Sequence, residues 1–189
     1  MSKQTWTGWY QALINHMQQM DVNVQAIQSQ AGIKTTNPEL LQITQDDMTH
    51  LWNAALDACG DKALGLKVGQ NLRPNAIGTV SWAMMSSNTV GDAIDVLMQH
   101  QHLLADALDF SLIKHEKHVE VVLNNIGDKI PASPLSIDAS VMAFLTYLRW
   151  LTRDKIQFSA VHFNRSKVSS FCEVGPAHIA ELSRRLRDG

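Results

Sequence analysis

Apolar residues recur at helical spacing along the first part of the chain. One face of an N-terminal helix carries apolar residues three and four positions apart, namely Trp6, Trp9, Tyr10, Leu13, Ile14 and Met17. A second, shorter helix is predicted over residues 22–31, with Asp21 or Asn23 as its N-cap and Gly32 just past its end. The chain therefore begins with two amphipathic helices.

Capping signals and chain breakers divide the next stretch of the chain. Thr44 and Asp47 have the spacing of a capping box, and they precede an apolar stripe that ends at Cys59. Four chain breakers come next, Gly60, Gly65, Gly69 and Pro74. They predict a short helical turn and a loop, followed by a compact segment over residues 79–85. The N-terminal half is therefore predicted to be helical.

The apolar period changes in the second half of the chain. Thr89 and Asp92 repeat the capping-box spacing, and the stripe after them predicts one long helix to about Leu108. Apolar and polar residues then alternate on both sides of Glu116 and Lys117. Alternation with a period of two is typical of strands, so this segment predicts a β-hairpin.

The elements after the hairpin complete the predicted fold. Ser133 and Pro134 are the expected cap and first residue of a helix that ends near Asp154. A third strand is predicted over residues 158–163, and a last helix over residues 177–187. Helix, hairpin, helix and strand, without regular βαβ alternation, predict an α+β fold. Its helices are expected to pack on a small antiparallel sheet.

Composition limits the functions that this chain can have alone. The length of 189 residues favours one domain, and 16 basic against 18 acidic residues give a net charge of −2. That charge disfavours binding of nucleic acid through many phosphate contacts. Cys59 and Cys172 form no CxxC motif, and no apolar run approaches the roughly 18 residues of a membrane span. We expect a cytoplasmic protein without a membrane segment.

The sequence shows no pattern typical of a metal site, a cofactor site or an enzyme. His100 and His102 point in different directions on a helix, and His115 and His118 flank the predicted hairpin turn, where exposed polar residues are usual. No GxSxG elbow, P-loop or GxGxxG fingerprint occurs. We therefore expect no catalytic residues, no metal and no cofactor.

Aromatic residues near one arginine have two interpretations. Trp82 lies close to Gly78, while Tyr147, Arg149 and Trp150 fall on the more polar side of a predicted helix. Such residues can form a second layer of the core, or they can line a pocket. A guanidinium among aromatic rings suits a small carboxylate or an apolar ligand, because arginine can make two parallel hydrogen bonds to a carboxylate.

Several strings of residues are more specific. In chain order they are GDKALGLKVG at 60–69, GTVSWAMMSS at 78–87, TVGDA at 89–93, LRWLT at 148–152 and VHF at 161–163. In this order, and over most of the stretch from about Leu13 to Phe163, they resemble the N-terminal arabinose-binding-like domain of AraC-type transcription regulators.

The resemblance implies a sensing and dimerising domain over residues 1–165, with a small organic effector and a homodimer as its partners. DNA would then be bound only through a helix-turn-helix domain missing from this chain, and residues 166–189 do not look like the usual continuation. The predicted ligand-binding residues are Trp82, Tyr147, Arg149, Trp150 and His162. The alternative is a stand-alone protein–protein interaction module, or a truncated regulator with no effector. Trp6 and Trp9 of the first helix are a candidate association surface in either case.

Overall fold

The fold is known from a computed structural model. It describes residues 7–33, 43–73, 78–104, 108–116, 118–125 and 132–161. The helices in these ranges are α1 (Thr7–Gln19), α2 (Val24–Gln30), α3 (Gln45–Cys59), α4 (Leu64–Gln70), α5 (Gly78–Met85), α6 (Val90–His100) and α7 (Pro134–Thr152). The strands are β1 (Leu108–Lys114) and β2 (Val119–Asn125). The fold is α+β, as predicted. Within the described residues, none of the helices combines the length and the apolar character that crossing a membrane requires.

Two helices begin with the capping boxes that the sequence predicts. The Thr44 side chain accepts the backbone N–H of Asp47, whose carboxylate in turn accepts the N–H of Thr44. Thr89 and Asp92 make the same reciprocal pair at the start of α6. Each box satisfies two N–H groups that the first turn of a helix leaves without a backbone partner.

The other predicted caps are also in place. Asn23 rather than Asp21 caps α2, because its side chain accepts the N–H of Ala26. Ser133 caps α7, and Pro134 is the first residue of that helix. Proline is well suited to this position because a helix leaves the first N–H without a partner anyway.

Buried apolar side chains form two clusters that meet on α7. The first cluster joins α1 to α4 with the start of α7 and includes Tyr10, Leu13, Met17, Ile27, Met48, Leu51, Trp52, Leu64, Val68, Leu135 and Ala139. The second joins α5 and α6 with the later part of α7 through Val80, Met84, Ala93, Leu97 and Tyr147. Because α7 contributes to both clusters, it connects the two parts of the core.

The segment predicted as a short helical turn between glycines is the seven-residue helix α4, which packs closely on α7. A Cβ atom added to Gly65 would lie 2.2 Å from the carbonyl oxygen of Leu135, and one added to Gly69 would lie 2.3 Å from that of Ala139. Both distances are far below any normal contact, so only glycine allows the backbones of α4 and α7 to approach this closely. Pairs of small residues four apart serve the same purpose in other helix pairs.

The predicted β-hairpin is present. β1 and β2 pair in antiparallel register, with Phe110 opposite Leu123 and Lys114 opposite Val119. The N–H of His115 donates to the carbonyl oxygen of His118 at 3.0 Å, which closes the turn between the two strands.

The prediction of one long helix to Leu108 is wrong. α6 ends at His100, a single 3₁₀ turn follows over Gln101–Leu103, and Leu108 is already in β1. The side chain of Gln101 explains the early end, because its amide bonds to the backbone of both α6 and β1. The Gln101 Nε2 donates to the carbonyl oxygen of Met98 at 3.2 Å and to that of Phe110 at 3.1 Å.

The third strand is not formed over the part of its predicted range that the structure describes. Residues 158–161 have no regular secondary structure, and the sheet of the described residues has two strands. Arg153 and Asp154 both have positive φ angles, of 52° and 61°, so the chain turns sharply at the end of α7. The hydroxyl of Thr152 then accepts the N–H of Ile156 at 3.2 Å. The rest of that strand and the helix predicted over residues 177–187 lie outside the described residues.

Candidate functional site

A cavity of about 60 Å³ lies beside the second core cluster, and Trp9, which packs against the first cluster, also lines it. Its described lining residues are Trp9, Leu72, Arg73, Met84, Leu97, Gln101, Leu104, Phe110, Ser140, Ala143, Phe144 and Tyr147. Most of them are apolar, and they come from α1, the end of α4, α5, α6, the 3₁₀ turn and the residue after it, β1 and α7. About 10–15 Å³ is enough for one water molecule, so this cavity has room for several heavy atoms of a ligand.

One face of α7 forms a wall of the cavity. Ser140, Ala143, Phe144 and Tyr147 lie three, four and seven positions apart, which places them on the same side of the helix. The glycines of α4 hold that helix against the α7 backbone near Leu135 and Ala139, one turn before this wall. The residues just after α4, Leu72 and Arg73, are thereby brought to the cavity.

The wall formed by the hairpin is fixed by hydrogen bonds from one side chain. Gln101 donates from Nε2 to the carbonyl oxygen of Phe110, and its Oε1 accepts the N–H of the same residue. Its amide therefore pairs with β1 as a neighbouring strand would. The Phe110 ring also lies 5.9 Å from the ring of Phe144 on α7. Phe110 thus connects the hairpin, the 3₁₀ turn and α7 at the cavity.

Tyr147 is buried between the cavity and α5. Its hydroxyl donates to the carbonyl oxygen of Ser81 at 2.8 Å. Burial raises the pKa of Tyr147, because it disfavours the charged phenolate. The Tyr147 side chain is therefore neutral at physiological pH, and its hydroxyl proton is donated to Ser81.

Arg73 differs in chemistry from the rest of the lining. It is exposed, which places it at the opening of the cavity. It is the charged residue among the described lining residues, and none of the described residues makes a hydrogen bond or an ion pair with its guanidinium. A guanidinium presents five N–H donors in a planar fork that matches a carboxylate or a phosphate.

The histidine pairs considered as metal ligands lie elsewhere. The ring centroids of His100 and His102 are 6.5 Å apart, while the rings of His115 and His118 stack at 4.3 Å beside the hairpin turn. All four side chains are exposed. In the part of the chain that the structure describes, no three His, Cys, Asp or Glu side chains are arranged to share a metal ion.

Comparison with known proteins identifies the family. A family model described as the arabinose-binding domain of AraC transcription regulators, N-terminal, matches residues 22–170. The chain belongs to this family. It is also similar to the ornithine utilization regulator of Pseudomonas aeruginosa, with 28% identity over 119 residues, which are 60% of this chain. The chain spans 34% of that regulator's length. The resemblance inferred from the sequence is therefore confirmed, and the chain is a regulatory domain of the AraC type.

Within this AraC-type domain, the predicted ligand-binding residues lie in different places. Tyr147 lines the cavity, whereas Trp82, Arg149 and Trp150 do not. The ring of Trp150 lies 5.9 Å from that of Tyr147, and Trp82 follows Ser81, which accepts the tyrosine hydrogen bond. His162 lies outside the described residues. Ligand binding by these residues stays a prediction.

Two expectations about aromatic residues need correction. Tyr147 is 7% exposed, so it belongs to the core rather than to the polar side of α7. Trp9 is half-buried, packs against the first core cluster and lines the cavity. It is therefore not an exposed association surface, and Trp6 lies outside the described residues. Among the described tryptophans, Trp82 and Trp150 are the exposed ones, at 62% and 49%.

The sequence did not identify most of the cavity. Leu72 and Arg73 follow a glycine-rich segment that predicted only a short helical turn and a loop, and Phe110 lies on a strand far from them in sequence. No local pattern brings these residues together, because their meeting depends on how α4, β1 and α7 pack.

Proposed function

We propose that this AraC-type domain binds a small organic effector in the cavity and couples its binding to association with a second copy of the chain. The observation that carries the proposal is the cavity itself, which is mainly apolar and is lined by residues from several elements. Apolar walls with a few fixed polar groups are typical of small-molecule sites. The proposal assigns no catalytic role to any residue.

An effector in this cavity would contact three elements at once. Phe110 belongs to the hairpin, Trp9 to α1 and Tyr147 to α7. A ligand that contacts all three favours the arrangement in which they lie together, since a ligand shifts an equilibrium only through a difference in affinity between two states. The effector would therefore stabilise one arrangement of the domain.

The surface next to Tyr147 is the candidate for association. Trp82 and Trp150 are exposed. Trp150 lies against Tyr147, and Trp82 follows Ser81, whose carbonyl oxygen accepts the tyrosine proton. Large exposed aromatic residues are enriched at protein interfaces. In a homodimer formed through the two tryptophans, Tyr147 would be the buried residue that connects the interface with the cavity.

DNA binding is proposed to lie outside this domain, in the remainder of a longer regulator. The matched family is an N-terminal domain, and the chain covers only a third of its curated relative. The proposal places the protein in the cytoplasm, where a bacterial regulator meets DNA.

Thermal-shift measurements on the chain test effector binding. The compounds include small carboxylic acids, sugars with arabinose among them, and amino acids with ornithine among them, because ornithine is in the name of the relative. A ligand that binds only the folded state raises the Tm, and the stabilisation grows with the logarithm of the ligand concentration relative to the Kd. We expect at least one class of compound to raise the Tm.

Two matched variants connect that shift to the cavity. Ala143→Leu fills space at the cavity wall, whereas Ala83→Leu makes the same change at an exposed position of α5. We expect the ligand-dependent shift to be lost in Ala143→Leu and kept in Ala83→Leu. If Ala143→Leu keeps the full shift, the effector binds elsewhere. If no compound gives a shift but Trp82→Ala abolishes dimers, the chain is an interaction module without an effector.

A further inference from the structure

The described lining residues of the cavity carry charge of one sign. Arg73 carries a positive charge at the opening, and the described lining residues include no aspartate or glutamate. The remaining lining consists mainly of aliphatic and aromatic side chains. A ligand that uses the whole site therefore has an anionic end at Arg73 and an apolar body inside.

We propose that the effector is a small monocarboxylate with an apolar body, held by its carboxylate on the guanidinium of Arg73. This rests on the proposed function, because it names the class of ligand for the same cavity. The body would pack among Phe110, Phe144 and Leu97. The carboxylate would displace no described partner from Arg73, since none of the described residues pairs with its guanidinium.

The polar groups of the cavity explain why a neutral polar ligand fits poorly. The amide of Gln101 is used by Met98 and Phe110. The hydroxyl proton of Tyr147 goes to Ser81, and that of Ser140 goes to the carbonyl oxygen of Ser136 at 2.9 Å. A sugar would leave several hydroxyl groups without partners, and each buried unsatisfied group costs about 1–3 kcal/mol.

The same chemistry disfavours cations and dianions. A basic amino acid would place its side-chain ammonium near Arg73 or against apolar walls, with no carboxylate among the described lining residues to receive it. A phosphate dianion carries a second charge that one guanidinium does not neutralise, and burying such a charge is costly. One carboxylate matches one guanidinium in charge and in geometry.

Matched ligands test the class of compound without any mutation. Hexanoate, hexanamide and hexylamine share one apolar body and differ in the head group, as do phenylacetate and phenylacetamide. Binding to the full 189-residue chain is measured by titration calorimetry and by thermal shift. We expect the carboxylates to bind at least about tenfold more tightly than the amides, because hydrogen bonds with a charged group are the stronger ones. We expect no binding by the amine.

Three variants test whether Arg73 binds the carboxylate. Arg73→Gln removes the charge at the opening, Arg73→Lys keeps a charge without the planar fork, and Arg153→Gln removes an exposed arginine that does not line the cavity. We expect Arg73→Gln to weaken carboxylate binding about tenfold to a hundredfold, and Arg73→Lys to weaken it less. Arg153→Gln should bind as wild type. Added salt should weaken the wild-type affinity for the acid, because the pair lies near solvent.

The outcomes separate this inference from the proposed function. If the amides bind as tightly as the acids, or Arg73→Gln leaves the affinity for the acid unchanged, the carboxylate class is wrong while the cavity remains a ligand site. If neither acids, amides nor the other compounds bind, the proposed function fails as well. The circular dichroism and Tm of each variant without ligand show whether it has folded, and the wild-type comparison of acid with amide does not depend on them.

Discussion

His16 on α1 is a titratable residue placed where a positive charge is unfavourable. Both of its ring nitrogens are buried and have no hydrogen-bond partner among the described residues. Burial lowers the pKa of His16, the Lys67 ammonium lowers it further, and the Asp61 carboxylate opposes the change. Lys67 and Asp61 themselves form an ion pair at 2.7 Å. The folded protein therefore keeps His16 neutral over a wider pH range than the unfolded chain does.

The domain should lose stability as the pH falls below about 6.5, the ordinary pKa of histidine. In that range the unfolded chain binds a proton at His16 more readily than the folded chain, so the free energy of unfolding decreases as the pH falls. The decrease in the free energy of unfolding is complete once the pH is below the folded-state pKa of His16. Urea denaturation at a series of pH values measures the slope.

Two variants assign the slope to His16. His16→Gln removes the titrating ring and should flatten the profile just below about pH 6.5, whereas His102→Gln removes an exposed histidine and should leave the slope unchanged. Asp61 contributes to the pH dependence of stability only at more acidic pH than His16 does. Burial raises the Asp61 pKa, but hydrogen bonds from Lys67 and Ala63 and the charges of Lys67 and His16 outweigh this and lower it. A His16→Gln profile as steep as that of wild type would contradict the assignment.

At the scale of elements, the contact of α4 with α7 orients the residues at the opening of the cavity. Gly65 and Gly69 allow the two backbones to touch, and Leu72 and Arg73 lie just beyond the end of α4. A shift of α4 away from α7 would move the start of the segment that carries Leu72 and Arg73. The packing of a glycine pair therefore bears on the geometry of the site.

Gly69→Ala should destabilise the domain, although alanine favours helices. The added Cβ would lie 2.3 Å from the carbonyl oxygen of Ala139, so the helices must separate. Overpacking of this kind costs about 1–3 kcal/mol, which exceeds the gain of up to about 1 kcal/mol from helix propensity. The free energy of unfolding by urea measures the balance.

Gly91 in α6 provides the matched control. A Cβ there has Thr89 Oγ1 as its nearest neighbour, at 3.6 Å, which is an ordinary contact. Gly91→Ala should therefore be neutral or stabilising by up to about 1 kcal/mol. Equal effects of the two substitutions would show that the closeness of α4 and α7 does not matter to stability.

The elements that the sequence predicted well are those whose signals are local. The capping boxes at Thr44 and Thr89 and the alternation around the hairpin depend on residues a few positions apart. α4 was predicted only as a short helical turn, because its glycines look like chain breakers until the backbone of α7 is placed beside them. α6 was predicted too long because Gln101 ends it by bonding to Phe110, nine residues further on.

The cavity was the hardest feature to predict, for the same reason. Tyr147 was identified from its chemistry on α7, but Arg73 was not, and Arg149 was preferred because it lies near aromatic residues in sequence. In the structure Arg149 does not line the cavity. Which arginine reaches the cavity depends on the packing of α4 on α7, and that information is not contained in either segment alone.

At the scale of the whole molecule, the cavity and the exposed tryptophans share one buried residue. Tyr147 faces the cavity, lies against Trp150 and bonds to the carbonyl group of Ser81, next to Trp82. An effector that packs on Tyr147 restricts its motion, and so reduces the entropy that the adjacent surface must lose on association. Effector binding and association are therefore expected to be linked positively.

The linkage has a quantitative form that light scattering and calorimetry can check. If a saturating effector tightens the dimer by some factor, the dimer must bind the effector more tightly than the monomer by a factor set by the same coupling free energy. Coupling of about 1–3 kcal/mol is common and corresponds to about fivefold to 150-fold. Trp150→Ala should weaken the dimer with and without effector, while Ile113→Ala, which removes an exposed apolar side chain on β1, should not. A dimer constant that is the same with and without bound effector would show that the cavity and the tryptophan surface act independently.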